Sequence, residues 1–224
     1  MTHRAQPDPE TETRPYDRAE RLSDAMVHLA GLVLALGAVP VLITLTALWH
    51  KDVAGVTGVA VYGATLICML SASLAYNHVY SPEWTDRLRK IDMSAIYLKI
   101  AGTVTPFALL SDTGSGFLIA MWSAAVFATV TVFLRKRRSS LFSIGIGLAM
   151  GWAVLFAGGD VLATTSWPVF GLMLGGGILY SLGTPFLVLN QMRFHNTIWH
   201  LFVVAASVVY FIAITWHMVG TRLV

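Results

Sequence analysis

Seven long apolar segments, separated by short polar breaks, form the dominant pattern of the chain. Each is close to the ~20 residues that a helix needs to cross the hydrocarbon core of a bilayer. None alternates between apolar and polar residues, as the strands of a membrane β-barrel do. The pattern therefore predicts an all-α fold, a bundle of seven transmembrane helices at residues 24–48, 54–77, 92–111, 116–134, 140–158, 166–188 and 196–218.

The breaks between these segments contain turn residues and charges, and they are too short to hold a second domain. Ser81-Pro82-Glu83 is interpreted as the start of a loop that lasts until the third helix begins at Asp92. Whatever chemistry the protein has must therefore be built from the helices themselves.

The composition supports a membrane protein. Of the 224 residues, 56% are hydrophobic and only 12% are charged, whereas soluble domains carry about 25% charged residues. The net charge is +3, but no polar domain exists on which Lys and Arg could form a nucleic-acid-binding face. We exclude nucleic acid as a partner, expect membrane lipids, and leave a homo-oligomer open.

The first 22 residues differ from the rest of the chain because they mix acidic residues, arginines and prolines. A segment of this composition cannot bury enough apolar surface to fold, which predicts disorder. It also lacks the apolar core of a cleavable signal peptide. We therefore divide the chain into a disordered tail, residues 1–22, and a membrane domain, residues 23–224.

The distribution of positive charge predicts the orientation. One side of the predicted bundle has Lys51 and Arg222 only. Positively charged loops stay in the cytoplasm, so the opposite, basic side is assigned to the cytoplasm. This places the N-terminus in the cytoplasm and, with seven spans, the C-terminus outside. The basic side holds Arg4, Arg14, Arg18, Arg21, Arg87, Arg89, Lys90, Arg135, Lys136, Arg137, Arg138 and Arg193.

Ionisable and strongly polar residues concentrate at the predicted cytoplasmic ends of four helices. Such groups are costly in a membrane unless they are paired or face a wet cavity, so each suggests a functional site. Since four segments deliver them to one depth, we predict a shared cavity that opens inward. The cavity residues are Asp24 and His28 in helix 1, Ser73 and Asn77 in helix 2, Asp92 in helix 3, and Asn196 and His200 in helix 7.

Some of these residues have simpler interpretations. Asp24 is equally explained as an acidic residue that stabilises the first turn of a helix. His78 and His195 are expected to reach the headgroup region. Asp92 and His200 are followed immediately by apolar sequence that carries them into the bilayer, so we interpret them as site residues.

Lys99 stands in the middle of the third segment, two helical turns and about 10 Å beyond Asp92 on the same helix face. A lysine at this depth should be paired, for example with Asp92 through water, or neutral.

These residues make the family resemblance recognisable. The chain resembles the haemolysin III group of the progestin and adipoQ receptor (PAQR) family, over almost its whole length after the tail. The resemblance implies a seven-helix protein, located here in a bacterial inner membrane, with zinc near the cytoplasmic face. It is carried by Ser23-Asp24-Ala25-Met26-Val27-His28, Ser73-Leu74-Ala75-Tyr76-Asn77, Asp92-Met93-Ser94-Ala95-Ile96-Tyr97, Ile100-Ala101-Gly102-Thr103-Val104-Thr105-Pro106-Phe107 and Trp199-His200-Leu201-Phe202-Val203-Val204.

The chain departs from the zinc site that the resemblance implies. Asn77 and Asn196 stand where the family has histidine ligands, which leaves Asp92 and His200 as the matching residues. Amides are poor zinc ligands beside imidazole. His78 and His195 are one position away, about 100° around the helix. We expect a degenerate site in which Asn77 and Asn196 form a hydrogen-bonded pair with Asp92 and His200, and Lys99 replaces the charge of the metal.

Three functions remain in contention. The first is ion or proton handling, or membrane homeostasis, by a buried titratable cluster. The second, implied by the resemblance, is a zinc-dependent lipid amide hydrolase of ceramidase type, in which Asp92 orients water and His200 is the surviving metal ligand. The third is the cytolytic pore that the family's name suggests, which the uniformly apolar helices do not favour.

Overall fold

The computed structural model describes residues 17–50, 52–79, 81–111, 114–135 and 140–221. Within these ranges the protein is all-α and has no strand, which confirms the all-α part of the predicted fold. A 3₁₀ helix at Thr184–Leu187 contains Pro185 and continues α7. The α-helices are α1 Arg18–His50, α2 Val53–His78, α3 Pro82–Leu109, α4 Ser115–Leu134, α5 Ser140–Ala157, α6 Gly159–Ala163, α7 Trp167–Gly183 and α8 His195–Thr221.

Within the described ranges, five helices are long and apolar enough to cross a membrane: α1, α2, α4, α8, and α7 together with its 3₁₀ extension. The apolar part of α5, Leu141–Ala157, is shorter. At 28 residues α3 is long enough, but Asp92 and Lys99 interrupt its apolar part. The protein is therefore a multi-pass helical membrane protein.

The first helix begins at Arg18 and includes residues 18–22, which the sequence analysis assigned to the tail. Asp17 accepts a hydrogen bond from the backbone N–H of Glu20 (2.8 Å), and Glu20 accepts one from the N–H of Asp17 (3.0 Å). This reciprocal capping box satisfies two backbone donors at the helix start. The N–H of Glu20 also holds the pKa of the Asp17 carboxyl below its usual range. Residues 1–16 of the predicted tail lie outside the described residues.

The third helix begins at Pro82, ten residues before its predicted start. Ser81-Pro82-Glu83 was interpreted as a loop, and that interpretation was wrong. Proline is favoured in the first turn of a helix, because the N–H that it lacks would have no acceptor within the helix. An acidic residue beside it stabilises the helix start by its interaction with the positive end of the helix dipole. Of the charges used for the orientation, those at 4, 14, 51, 136–138 and 222 lie outside the described residues.

The helices pack around α2 and α3, which share the most extensive contact in the bundle. This contact is close because Gly58 has no side chain: a Cβ there would lie 2.7 Å from the Cα of Pro106. Small residues at such crossings let membrane helices approach. Tyr62 and Phe107 are fully buried, whereas Phe156 faces outward.

The fifth helix is held less tightly than the others. It packs mainly on α3 and makes few contacts with α7. The looser packing leaves a chamber between α3, α5, α7 and α8, with one end at α1 and α2. This chamber positions the polar residues described next.

Candidate functional site

A cluster of buried polar side chains closes one end of the chamber. Asp24 is its centre. Its Oδ1 lies 2.7 Å from Nδ1 of His200, and its Oδ2 lies 3.3 Å from Nε2 of His78 and 3.5 Å from Nδ1 of His28. We call Asp24, His28, Ser73, His78 and His200 the Asp24 cluster.

Helix geometry explains how the Asp24 cluster assembles. Asp24 and His28 are four residues apart and so share one face of α1. Ser73 comes from the last turns of α2, and His200 comes from the start of α8. The rings of His28 and His200 lie 4.0 Å apart between centroids. Asp24, His28, Ser73 and His200 are all buried, so their mutual hydrogen bonds replace those that water would provide.

The hydrogen-bond partners assign the tautomers of two histidines. Nδ1 of His28 lies 2.9 Å from the backbone carbonyl of Asp24, which only accepts, so this nitrogen donates. Nδ1 of His200 donates to the Asp24 carboxylate. In a neutral imidazole the second nitrogen, Nε2, is then an acceptor.

Both of these acceptors face the same hydroxyl. Ser73 Oγ lies 3.0 Å from Nε2 of His28 and 3.3 Å from Nε2 of His200. A hydroxyl has one proton to donate, so it satisfies only one of the two lone pairs. A second proton or a metal ion at this point would satisfy the other.

The donor set at this point fits a metal ion. The ligating atoms of Asp24, His28 and His200 all lie within 4.8 Å of one another. Two imidazoles and a carboxylate are a ligand set that zinc accepts in catalytic sites, where it keeps an open position. Of the two predicted metal ligands, His200 belongs to this group and Asp92 does not.

Asn77 and Asn196 form the hydrogen-bonded pair that the sequence analysis expected. Nδ2 of Asn196 donates to Oδ1 of Asn77 (2.9 Å), and Nδ2 of Asn77 donates to the backbone carbonyl of Ser73 (2.9 Å). The pair lines a small second pocket with Asp24 and His78, outside the chamber. The two amides thus connect α2 to α8 rather than grouping with Asp92 and His200.

Asp92 lines the chamber beside the cluster. Its carboxyl is half-buried and interacts with the Ser73 hydroxyl. It is therefore the one carboxylate of the predicted site that faces both the cluster and the space in which a ligand would lie.

His78 and His195, which are adjacent in sequence to Asn77 and Asn196, have different surroundings. His78 was expected to point away from the shared face, and this was wrong: it contacts Asp24, although the angle does not suit a hydrogen bond. His195 lies outside the cluster, and its Nδ1 is 2.8 Å from the backbone carbonyl of Phe186.

Lys99 is a further buried charged group, and it is 2% exposed. Its Nζ donates to the hydroxyl of Tyr180 (2.5 Å), which lies 3.0 Å from Oγ of Ser207. The Nζ also lies 4.4 Å and 5.1 Å from the ring centroids of Tyr180 and Tyr210. The described residues place no carboxylate in direct contact with it, and a pair with Asp92 through water stays a prediction.

The chamber connects the two charged regions. It encloses about 1340 Å³, including space open to the surroundings, and His28, Ser73, Asp92, Lys99 and His200 all contribute to its wall. Most of the wall is apolar. Examples are Ile96, Ile100, Val104, Leu148, Met173 and Val203.

Glu20 was not among the predicted site residues, yet its carboxylate connects α1 to the segment before α8. It is 3% exposed and accepts a hydrogen bond from the backbone N–H of Phe194 (2.9 Å). Phe194 has a positive φ of 60°, a conformation that costs energy in a non-glycine residue. The Asp17-x-x-Glu20 capping pattern was the signal that could have drawn attention to this residue.

The apolar helices around a buried polar site define the class, a polytopic membrane protein. Comparison of its sequence with known proteins identifies the family. The chain belongs to the haemolysin III family: a sequence profile described as "Haemolysin-III related" matches residues 18–211. The chain is 33% identical over 205 residues to "Hemolysin-3 homolog" of Bacillus subtilis (strain 168), covering 89% of this chain and 95% of the relative. It is 30% identical over 205 residues to "Hemolysin-3" of Bacillus cereus, covering 90% and 93%.

A more distant relative extends the similarity to animals. The chain is 24% identical over 172 residues to human "Monocyte to macrophage differentiation factor", covering 74% of this chain and 70% of the relative. These similarities confirm the resemblance to the haemolysin III group of the PAQR family.

Proposed function

We propose that the chain crosses a bacterial inner membrane seven times, through α1, α2, α3, α4, α5, α7 and α8, with its N-terminus in the cytoplasm. The five long apolar helices support this proposal, and so does the 28-residue length of α3. At five residues, α6 is too short to span a bilayer. Alkaline phosphatase, active only outside the cytoplasm, should be active when fused after Val224. An inactive C-terminal fusion that is expressed normally would exclude this orientation.

We propose further that the protein is a metal-dependent lipid amide hydrolase. The observation that carries this proposal is the pair of Nε2 acceptors, of His28 and His200, that face one Ser73 hydroxyl. His28 and His200 would hold the ion through their Nε2 atoms, with Asp24 behind His200 in the same group, and zinc accepts nitrogen and oxygen donors of this kind. Bound zinc polarises a carbonyl and lowers the pKa of bound water towards 7.

The surrounding residues have distinct parts in this proposal. Asp24 fixes the ring of His200 through a 2.7 Å hydrogen bond, as outer carboxylates do for metal-binding histidines. Asp92 faces the chamber beside Ser73, where it can orient water or accept the N–H of an amide. The apolar wall would hold the acyl chain of the substrate and exclude bulk water from the polar end.

Metal content tests this proposal directly. Protein purified from zinc-supplemented cells should contain about one zinc per chain, and a His28→Asn/His200→Asn variant should contain almost none. His50→Gln is the matched control, because His50 lies near the opposite end of the bundle and contacts the Met218 carbonyl. A wild-type protein without zinc, or a double variant with full zinc, would remove the metal from the proposal.

The reaction needs its own assay. Wild-type protein and His50→Gln should release fatty acid from a long-chain fluorescent amide, and the double variant should not. Chelation of zinc should abolish the release. If zinc is bound but no amide is cleaved, the hydrolase proposal is wrong and the metal site stands.

Proton handling is a second candidate, favoured by the contact of one carboxylate with three histidines. Asp24 reaches His200, His78 and His28, so the cluster can hold an additional proton without a metal. In proteoliposomes, proton flux between pH 5 and 8 should then be lost in Asp24→Asn. Equal flux in the wild type and in this variant would exclude the candidate.

A further inference from the structure

Lys99 is a buried cation for which the described residues provide no anion. Its contacts are the hydroxyl of Tyr180 and the rings of Tyr180 and Tyr210. Ring faces attract a cation, but they do not neutralise it. A charge in a low-dielectric interior interacts strongly with a counter-charge, so an anion in the chamber would be bound firmly at this position.

The ammonium group of Lys99 has more N–H donors than the described residues use. It carries three N–H donors, and the described residues account for one, the bond to Tyr180. The Tyr180 hydroxyl accepts that bond and also shares a hydrogen bond with the Ser207 hydroxyl (3.0 Å). Two N–H donors of Lys99 are left, a number that matches the two oxygens of a carboxylate.

The wall around Lys99 indicates what carries the carboxylate. Ile96, Ile100, Val104, Met173 and Val203 line the same chamber, and small-molecule sites are typically lined by side chains of this apolar kind with a few polar groups among them. Apolar walls of this extent suit an alkyl chain. A phosphate group would bring up to two charges and three acceptor oxygens, more than a single lysine can satisfy.

We propose that Lys99 and Tyr180 form a binding site for the carboxylate of a long-chain fatty acid, whose alkyl chain lies along the apolar wall of the chamber. The site is separate from the proposed metal centre, because Lys99 lies about 10 Å along α3 from Asp92. It requires no metal and no hydrolysis. The proposal therefore goes beyond the proposed function and can fail independently of it.

The test uses full-length protein in detergent micelles and two fluorescent probes, cis-parinaric acid and its methyl ester. The probes share one chain and differ in the negative charge. Wild-type protein should bind the acid at least ten-fold more tightly than the ester. Equal affinities in the wild type would overturn the proposal without the need for any variant.

Variants at Lys99 locate the charge that is recognised. Lys99→Met should remove the preference for the acid and leave the affinity for the ester unchanged, whereas Lys99→Arg should retain the preference. Lys90→Met is the matched control, since Lys90 lies on the same helix and pairs with Asp86 (3.0 Å). If Lys99→Met does not fold, Lys99→Gln replaces it. A preference for the acid that survives loss of the lysine charge would overturn the proposal.

Two further measurements exclude other occupants. His28→Asn/His200→Asn should bind both the acid and the ester as the wild type does. Loss of acid binding in a variant that still binds the ester, and is therefore folded, would place the carboxylate at the Asp24 cluster and overturn the proposal. Chloride at 0.2 M should leave the acid bound, because a small anion gains nothing from the apolar wall. Displacement of the acid by chloride at this concentration would indicate a small-anion site instead.

Discussion

Two of the buried charged groups, Asp24 and Lys99, are surrounded in two different ways. At the Asp24 cluster, one carboxylate is contacted by three histidines, and His28 and His200 are further connected by Ser73. At Lys99, the charge is contacted by one hydroxyl and two aromatic rings. Both regions line the same chamber, so the difference lies in the side chains and not in the access to ligand.

This difference indicates two kinds of site. A charge with protein partners on several sides contributes to the stability of the fold, because loss of one partner leaves the others buried without a hydrogen bond. A charge with few protein partners contributes little to folding and is available to a ligand. Substitutions that test this distinction are expected to have effects in the following order.

The largest effect is expected for Asp24→Asn. The substitution removes the negative charge that contacts His200, His78 and His28, and should lower the free energy of unfolding by about 3 kcal/mol, the scale for breaking a buried charged pair. Unfolding by SDS in mixed micelles measures this quantity. Asp86→Asn is the control, because Asp86 lies on the surface of α3. A loss below about 1 kcal/mol would show that the cluster does not support the fold.

An intermediate effect is expected for Gly176→Ala. The new Cβ would lie 2.6 Å from Cε2 of Tyr210 and would displace this ring, whose centroid is 5.1 Å from Nζ of Lys99. Overpacking of this kind costs about 1–3 kcal/mol, and the affinity for parinaric acid should fall by a few fold. At Gly175 a Cβ meets nothing within 4 Å, so Gly175→Ala is the matched control. Equal behaviour of the two variants would mean that the Tyr210 ring does not define the Lys99 site.

The smallest effect on stability is expected for Lys99→Met. Replacing a buried charge by an apolar side chain of similar length is often neutral or stabilising, so the free energy of unfolding should stay within about 1 kcal/mol of the wild type or rise. The same SDS titration measures it, with Lys90→Met as the control on the same helix. A loss as large as that of Asp24→Asn would abolish the distinction between the two regions.

Much of the fold was predictable, since each predicted span corresponds to a described helix. The errors lie at helix starts. The capping box of Asp17 and Glu20 and the Pro82-Glu83 start of α3 are local signals inside polar sequence, and the apolar pattern does not show them. Helix boundaries at such positions depend on one or two hydrogen bonds, whereas spans depend on about twenty apolar residues.

The candidate site was predictable as a set of residues but not as an arrangement. Asp24, His28, Ser73 and His200 were all expected at one depth, and they meet there. Their grouping without Asp92, and the approach of His78 to Asp24, were not expected. Both depend on the rotation of each helix about its axis, which residue spacing within one helix does not specify.

By itself, the sequence determined the helices, the family and the helix ends near which the polar residues of the site lie. Backbone hydrogen bonds in a helix form within one segment, and the length of an apolar segment decides whether that segment can cross a bilayer. Only the tertiary structure decided the partners of Asp24 and the surroundings of Lys99. Those contacts join side chains as many as 176 residues apart, and their geometry depends on close helix crossings such as that of Gly58 against Pro106.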